Sequence, residues 1–202
     1  IGSAKKPRCF TRTPPCLPYY NQKNAWNDTV IFNKWWNEIL LSAVRKHTKD
    51  PVALVLDGFS GHDDLCSDPV GQVKIFKFPP NLTSLYQPLD QGLIAALKAS
   101  YKCKVLARLV ETAEKYNELQ KLGSQLPAGV AGLQYGFPPH VGDAMMLLKD
   151  SWECISSSTV AACWAHAHCL PAVTTSELQS DSRDYIKDVE SKAIDELCSK
   201  LG

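Results

Sequence analysis

Residues 52–64 read VALVLDGFSGHDD: an apolar, valine-rich run stops at an aspartate, turns through two glycines and delivers His62, Asp63 and Asp64. A continuous apolar run of this length predicts a strand buried on both faces, as in a mixed or parallel sheet. In open α/β sheets, sites gather at the carboxyl ends of strands, and Asp57 falls at such an end. Asp57 is therefore either a turn residue or a carboxylate placed to hold a metal.

Working outward, VKIFKF (73–78) alternates apolar and polar residues and predicts a second strand, stopped by Pro79 and Pro80. After the loop NLTSLYQP, a long helix is expected over residues 89–116. Upstream, Asn27 or Asp28 caps a helix, NDTVIFNKWWNEILLSAVRKH, whose apolar stripe is read as Ile31, Trp35, Ile39 (or Leu40) and Val44. LPYYNQ (17–22) reads as a strand, and residues 1–18 as a strand end and a loop. This element order is α/β. Past residue 117 the chain becomes a Gly- and Pro-broken linker. Helices are expected in HVGDAMMLLKDSWE, in SSSTVAACWAHAHC with its N-cap among residues 156–158, and in the charge-mixed SELQSDSRDYIKDVESKAIDELCSKL. The division expected is a core over residues 1–120 and a helical appendage over 121–202.

Composition bounds the function. The chain has 202 residues, 45% of them hydrophobic and 21% charged, which is globular rather than disordered. A net charge of +1 gives no global attraction to nucleic acid, so any such argument is local. No apolar run is long enough to span a membrane. The 8 cysteines have no compact spacing and no secretory signal precedes them, which points to thiols in a reducing compartment. Ile1 and the following IGSAKKPRCF read as the middle of something longer.

Asp90 opens the long helix. The strand and Pro-Pro loop before it can return that helix start to the end of the first strand. Two carboxylates meeting there would repel unless a cation sat between them. Mg²⁺ is held by one or two carboxylates plus substrate phosphates, and ion pairs about 4 Å apart serve phosphoryl transfer. Taken alone, Asp90 is equally an acid stabilising a helix N-terminus.

The surrounding pattern separates these readings. VALVLDGFSGHDD followed by VKIFKFPPNLTSLYQPLDQGLIAALKASYK resembles the DDE-type transposase domain of the pogo/Tigger branch, which includes centromere-protein-B-like and jerky-like proteins. Pro79, Pro80, Asn81, Thr83, Ser84, Gln87, Pro88, Leu89, Asp90, Gln91 and Gly92 carry the resemblance. KKPRCF, Asn24, Ala25, Trp26 and DSWECISSSTVAACW extend it over about residues 5–170. It implies a ribonuclease H-like mixed sheet with flanking helices. It also implies Mg²⁺ (or Mn²⁺) bound by three acids, with Asp57 the second and Asp90 the third. In such a domain a metal-activated water attacks a DNA phosphate, and the freed 3′ hydroxyl attacks a second DNA site. The first acid belongs on an upstream strand, yet only Asp28, Glu38 and Asp50 precede Asp57. The expectation is thus a sheet lacking its first strand and a chain inactive as it stands. Gly58 stands where many relatives carry Asn, which bears on fine positioning of the site.

The partners implied are DNA and, through self-association, further copies of the chain; no membrane and no small-molecule substrate is expected, and the implied compartment is the nucleus. A different class of function is a domesticated, non-catalytic module binding DNA or protein. His62 can orient a metal-bound water, contact DNA, or cap the turn. Lys98, Lys102, Lys104 and Arg108 can face a phosphate backbone or form a solvated face. Asp63 and Asp64 read as solvated turn carboxylates. Cys163, His166, His168 and Cys169 in CWAHAHC invite zinc, but their spacing does not make a tetrahedral pair of pairs on a helix. Trp35, Trp36, Trp152 and Trp164 read as core or interface anchors.

Overall fold

The computed structural model describes residues 1–11, 14–63, 67–121 and 140–169. Residue 64 and the helix expected over 176–201 lie outside the described residues. The elements are α1 (Thr29–Trp35), α2 (Leu41–His47), β1 (Val52–Leu56), β2 (Val73–Lys77), α3 (Thr83–Tyr86), α4 (Ile94–Lys121), α5 (Val141–Glu153) and α6 (Ser157–His166). Short 3₁₀ turns cover Arg8–Thr11 and Ser60–His62, and wider π turns cover Trp36–Leu40 and Leu89–Leu93.

α1 begins where Asp28 caps it, its side chain accepting from Ile31 N at 2.9 Å. The apolar stripe of this helix is not the one expected. Ile31, Phe32, Trp36 and Leu41 are buried, while Trp35, Ile39, Leu40 and Val44 are only partly covered. The π turn Trp36–Leu40 is the cause. It adds one residue to a turn, so the step from Trp36 to Leu41 is five residues rather than three or four, and the stripe is displaced.

β1 and β2 are parallel, paired from Val52↔Val73 to Leu56↔Lys77. Trp36, Leu41 and Val73 form the core, with Leu40, Val44, Val52, Leu54 and Ile75 packed around it. The helix pair therefore covers one face of the sheet. The expectation that β1 is buried on both faces is corrected: Ala53 is exposed, and on β2 Phe76 keeps 52% of its surface. In the described residues this sheet has two strands, and alternate side chains point away from the helices. Residues 17–22 are not a strand; Gly2 and Asn21 make a single parallel bridge, with Gly2 N donating to Tyr20 O.

The connection into β2 is a tight turn. Asp68, Pro69, Val70 and Gly71 have the residue types that a type I turn favours, and Gly71 N donates to Asp68 O at 3.0 Å. The fully enclosed Asp68 carboxylate accepts from Val73 N at 2.9 Å and Val70 N at 3.1 Å and pairs with Arg45 of α2. Those backbone donors, Val73 N foremost, hold its carboxyl below the ordinary carboxylate range.

The long helix is not continuous over residues 89–116. It opens as the π turn, kinks at Gln91 and Gly92 (φ 117°), and runs regularly from Ile94 to Lys121. α5 packs on α4 and on the turn Arg8–Thr11, and α6 packs on the π turn Leu89–Leu93. Ser156 caps α6 by accepting from Thr159 N, from within the expected 156–158. Cys9, Cys16 and Cys169 carry thiols outside any disulfide.

Candidate functional site

Asp57 follows directly on β1, at the carboxyl end of both parallel strands. Its Oδ1 accepts from Phe59 N at 3.2 Å, closing a turn on itself. The same oxygen lies 2.8 Å from His62 Nδ1, a close approach without the alignment of a good hydrogen bond. Protonation of His62 would make this contact an ion pair.

His62 is fixed by aromatic rings. Phe32 of α1 lies 4.4 Å from it between centroids, and Phe59 meets it edge-on at 5.3 Å. The 3₁₀ turn Ser60–His62 returns the imidazole toward the strand end, with His62 N donating to Phe59 O. Gly61 is buried, and a Cβ there would overlap the Phe59 ring. A Cβ on Gly58 would meet open space, so packing places no demand on that position. Asp63 is exposed, as expected, and is paired with Lys77 Nζ at 2.6 Å.

Asp90 is exposed in the first turn of the π segment, its N–H donating to Gln87 O at 3.0 Å. Gly92 takes the left-handed backbone that turns the segment into α4, a conformation that favours glycine. Gln91 links neighbouring elements: Nε2 donates to Ser84 O at 2.8 Å, and Oε1 lies 2.8 Å from His166 Nδ1.

Among the described residues no three His, Cys, Asp or Glu side chains gather as a metal site. The acids before Asp57 have other work: Asp28 caps α1, Glu38 accepts from Tyr20 OH, and Asp50 accepts from Thr48 Oγ1. Each of the two expected loops nevertheless contains a buried polar atom lacking an aligned partner among the described residues, His62 Nδ1 beside Asp57 and Gln87 Oε1 in the turn before Asp90. Carboxylate oxygens, with an amide oxygen nearby in sequence, suit a hard divalent cation that keeps several of its waters.

The basic stretch lies on α4. Lys98, Lys102 and Arg108 are exposed and Lys104 is partly covered. At about 3.6 residues per turn these four spread over roughly half the helix circumference. Arg108 pairs with Asp143 of α5 at 2.9 Å, a partner from a distant stretch of chain. Cys163 is buried, His166 meets Gln91, Cys169 Sγ donates to Tyr86 O at 3.0 Å, and His168 is exposed. Trp36 is a core anchor, whereas Trp152 is half exposed.

Sequence reasoning missed Asp68, whose signal was present in the Asp-Pro-Val-Gly turn pattern. It also missed the contact between Gln91 and His166, which joins residues 75 apart and has no local signal.

Comparison with known proteins gives the family. The chain is 28% identical over 178 residues to human Tigger transposable element-derived protein 7, covering 81% of this chain and 31% of that protein. It is 26% identical over 198 residues to mouse Jerky protein, covering 91% of this chain and 30% of that one. Human Jerky protein homolog is 30% identical over 101 residues, 46% of this chain and 18% of its own length. The chain thus spans about a third or less of the curated relatives it matches. No solved structure matches. Residues 1–164 match the family described as DDE superfamily endonuclease. With that match and these relatives, the chain belongs to the DDE superfamily endonucleases as a domain of the pogo/Tigger-derived, transposase-like kind.

Proposed function

We propose that this chain is part of a metal-dependent DNA strand-cleavage and strand-transfer domain in which Asp57 and Asp90 are metal-holding carboxylates. The observation that carries the reading is Asp57 at the carboxyl end of a parallel strand pair, with His62 pinned against it by Phe32 and Phe59. A ribonuclease H-like sheet with a further strand carrying the first acid is part of the same reading. Asp57 and Asp90 would hold Mg²⁺ or Mn²⁺, which would supply charge neutralisation for phosphoryl transfer.

The chain's own residues have simpler tasks. Asp57 is oriented by Phe59 N–H and His62, so its carboxylate is presented rather than rotating freely. Gly92 lets the backbone turn so that Asp90 stands at the head of α4. Lys98 and Lys102, exposed one turn apart on α4, are the cations best placed to meet a DNA phosphate backbone. Arg108 is less available, because Asp143 already holds it. The implied location is the nucleus, where the DNA partner is.

The three acids before Asp57 are committed to capping, side-chain and turn bonds, which supports a chain inactive by itself. The same observation favours a second reading, a domesticated module that binds DNA or protein without cutting. Calorimetric titration of Mn²⁺ into the chain, beside an Asp57→Ala/Asp90→Ala double variant, tests the site. Binding that disappears in the variant supports it. Equal binding in both, or none in either, overturns it and favours the non-catalytic module.

A further inference from the structure

The last residue of α6, His166 in the segment CWAHAHC, is a histidine that the proposed chemistry does not use. We propose that His166 is a positioning residue for the Asp90 turn, acting through the side chain of Gln91. The proposal deepens the site reading and rests on Asp90 belonging to that site.

The orientation of the Gln91 amide is decided by its other end. Ser84 O is a carbonyl and can only accept, so the group 2.8 Å from it must be the Gln91 NH₂. Gln91 Oε1 therefore faces His166 Nδ1, and at 2.8 Å that nitrogen must carry the proton. Whether neutral or charged, His166 is thus the donor. The Gln91 side chain then ties the backbone of Ser84, within α3, to the last residue of α6.

Gln91 sits between Asp90 and Gly92 where the backbone leaves helical geometry: Gln91 has ψ 26° and Gly92 has φ 117°. Backbone bonds from Asp90 N to Gln87 O and from Gln91 N to Pro88 O hold the turn from the preceding side. α6 holds it from the other. A second tie, from three residues past the end of α6, reinforces the first, since Cys169 Sγ donates to Tyr86 O at the end of α3. A rotation at Gln91 would carry Asp90 with it. Partners that orient a ligand without touching the metal typically change affinity by roughly 10–100-fold when removed.

The test exploits the geometry of the donor. Asparagine places its amide nitrogen where histidine has Nδ1, whereas glutamine places one where histidine has Nε2. His166→Ala, His166→Asn and His166→Gln are compared with the parent chain by ¹⁵N-resolved NMR and by Mn²⁺ titration, with thermal unfolding as the folding control. The expected result is that alanine and glutamine move the Gln91 side-chain and Gly92 backbone amide signals and weaken Mn²⁺ binding about tenfold, while asparagine restores both. Unmoved Gly92 signals in His166→Ala overturn the proposal. So do signals that move alike in all three variants. If the parent chain binds no Mn²⁺ through Asp90, the site reading fails, and the Gly92 signals still decide whether His166 sets the turn.

Discussion

The two ends of the β1–β2 ribbon use aspartate in opposite ways. At the amino end, Asp68 is fully enclosed and accepts from two backbone N–H groups while pairing with Arg45. Gln72 completes that end by donating to Thr48 O and Asp50 O, and Val52 N donates to Gln72 O. At the carboxyl end, the Asp57 side chain stays 32% exposed, and its contacts with Phe59 N and His62 both fall on Oδ1. One carboxylate is consumed by the fold; the other is held in place yet remains accessible. Enclosure and accessibility of a carboxylate are thus assigned to opposite ends of the same strands.

The largest expected effect removes what both ends rest on. Trp36 is completely buried beneath the ribbon with Leu41 and Val73. Trp36→Ala should cost about 3–5 kcal/mol in urea unfolding, enough to abolish the distinction between the ends. Trp36→Phe sharpens the point. The indole Nε1 has no partner among the described residues, so the phenyl ring forfeits no hydrogen bond seen there, and the loss should be far smaller than for alanine.

The closed end should break next. Asp68→Ala strips acceptors from two backbone N–H groups and leaves Arg45 without its carboxylate. The urea midpoint should fall well below that of Asp57→Ala. Acid should reveal the same asymmetry. Because folding lowers the Asp68 pKa, its stabilisation is complete above the ordinary carboxylate pKa of 3.8 and is lost as pH falls through its lower folded value. Unfolding curves taken between pH 5 and about pH 2 should converge for parent and Asp68→Ala at the acid end. Parallel curves would mean that Asp68 does not carry this dependence.

Much of this contrast was legible in the sequence, but unevenly. The strands at 52–56 and 73–77 were readable because apolar runs end at Asp57 and at two prolines. The Asp28 cap was readable because capping is local chemistry. The π turn was not. A one-residue insertion leaves a helical apolar pattern intact and changes only which stripe meets the sheet, so Trp35 was favoured where Trp36 is buried. The strand's second face was misjudged because an apolar run shows a preference for burial, while packing decides what covers it. The Asp57 loop was found from its Gly, His and Asp residues, whereas its geometry depends on Phe32, a helix residue with no sequence tie to the turn.

Gly92 offers an intermediate effect at the second carboxylate. Its φ of 117° is strained for any residue with a Cβ, so Gly92→Ala should cost about 1–3 kcal/mol. If the turn relaxes instead, stability is preserved and Asp90 is displaced. A variant that folds normally but binds Mn²⁺ less well would separate the two outcomes.

The smallest effects belong to the open end. Asp57→Asn keeps an oxygen that can accept from Phe59 N, and the group is partly solvated, so the stability change should stay within about 0.5 kcal/mol. The exposed Lys77–Asp63 pair should matter as little, since such pairs contribute about 0–1 kcal/mol. A double-mutant cycle on Lys77→Ala and Asp63→Ala therefore asks a pointed question of the loop that carries His62. Coupling near zero means His62 is held by Phe32, Phe59 and Asp57 alone, and that the loop's outer edge is free to meet a ligand. Coupling well above 1 kcal/mol would make the clasp to β2 part of what positions His62, and the open end would then be less open than its exposed carboxylates imply.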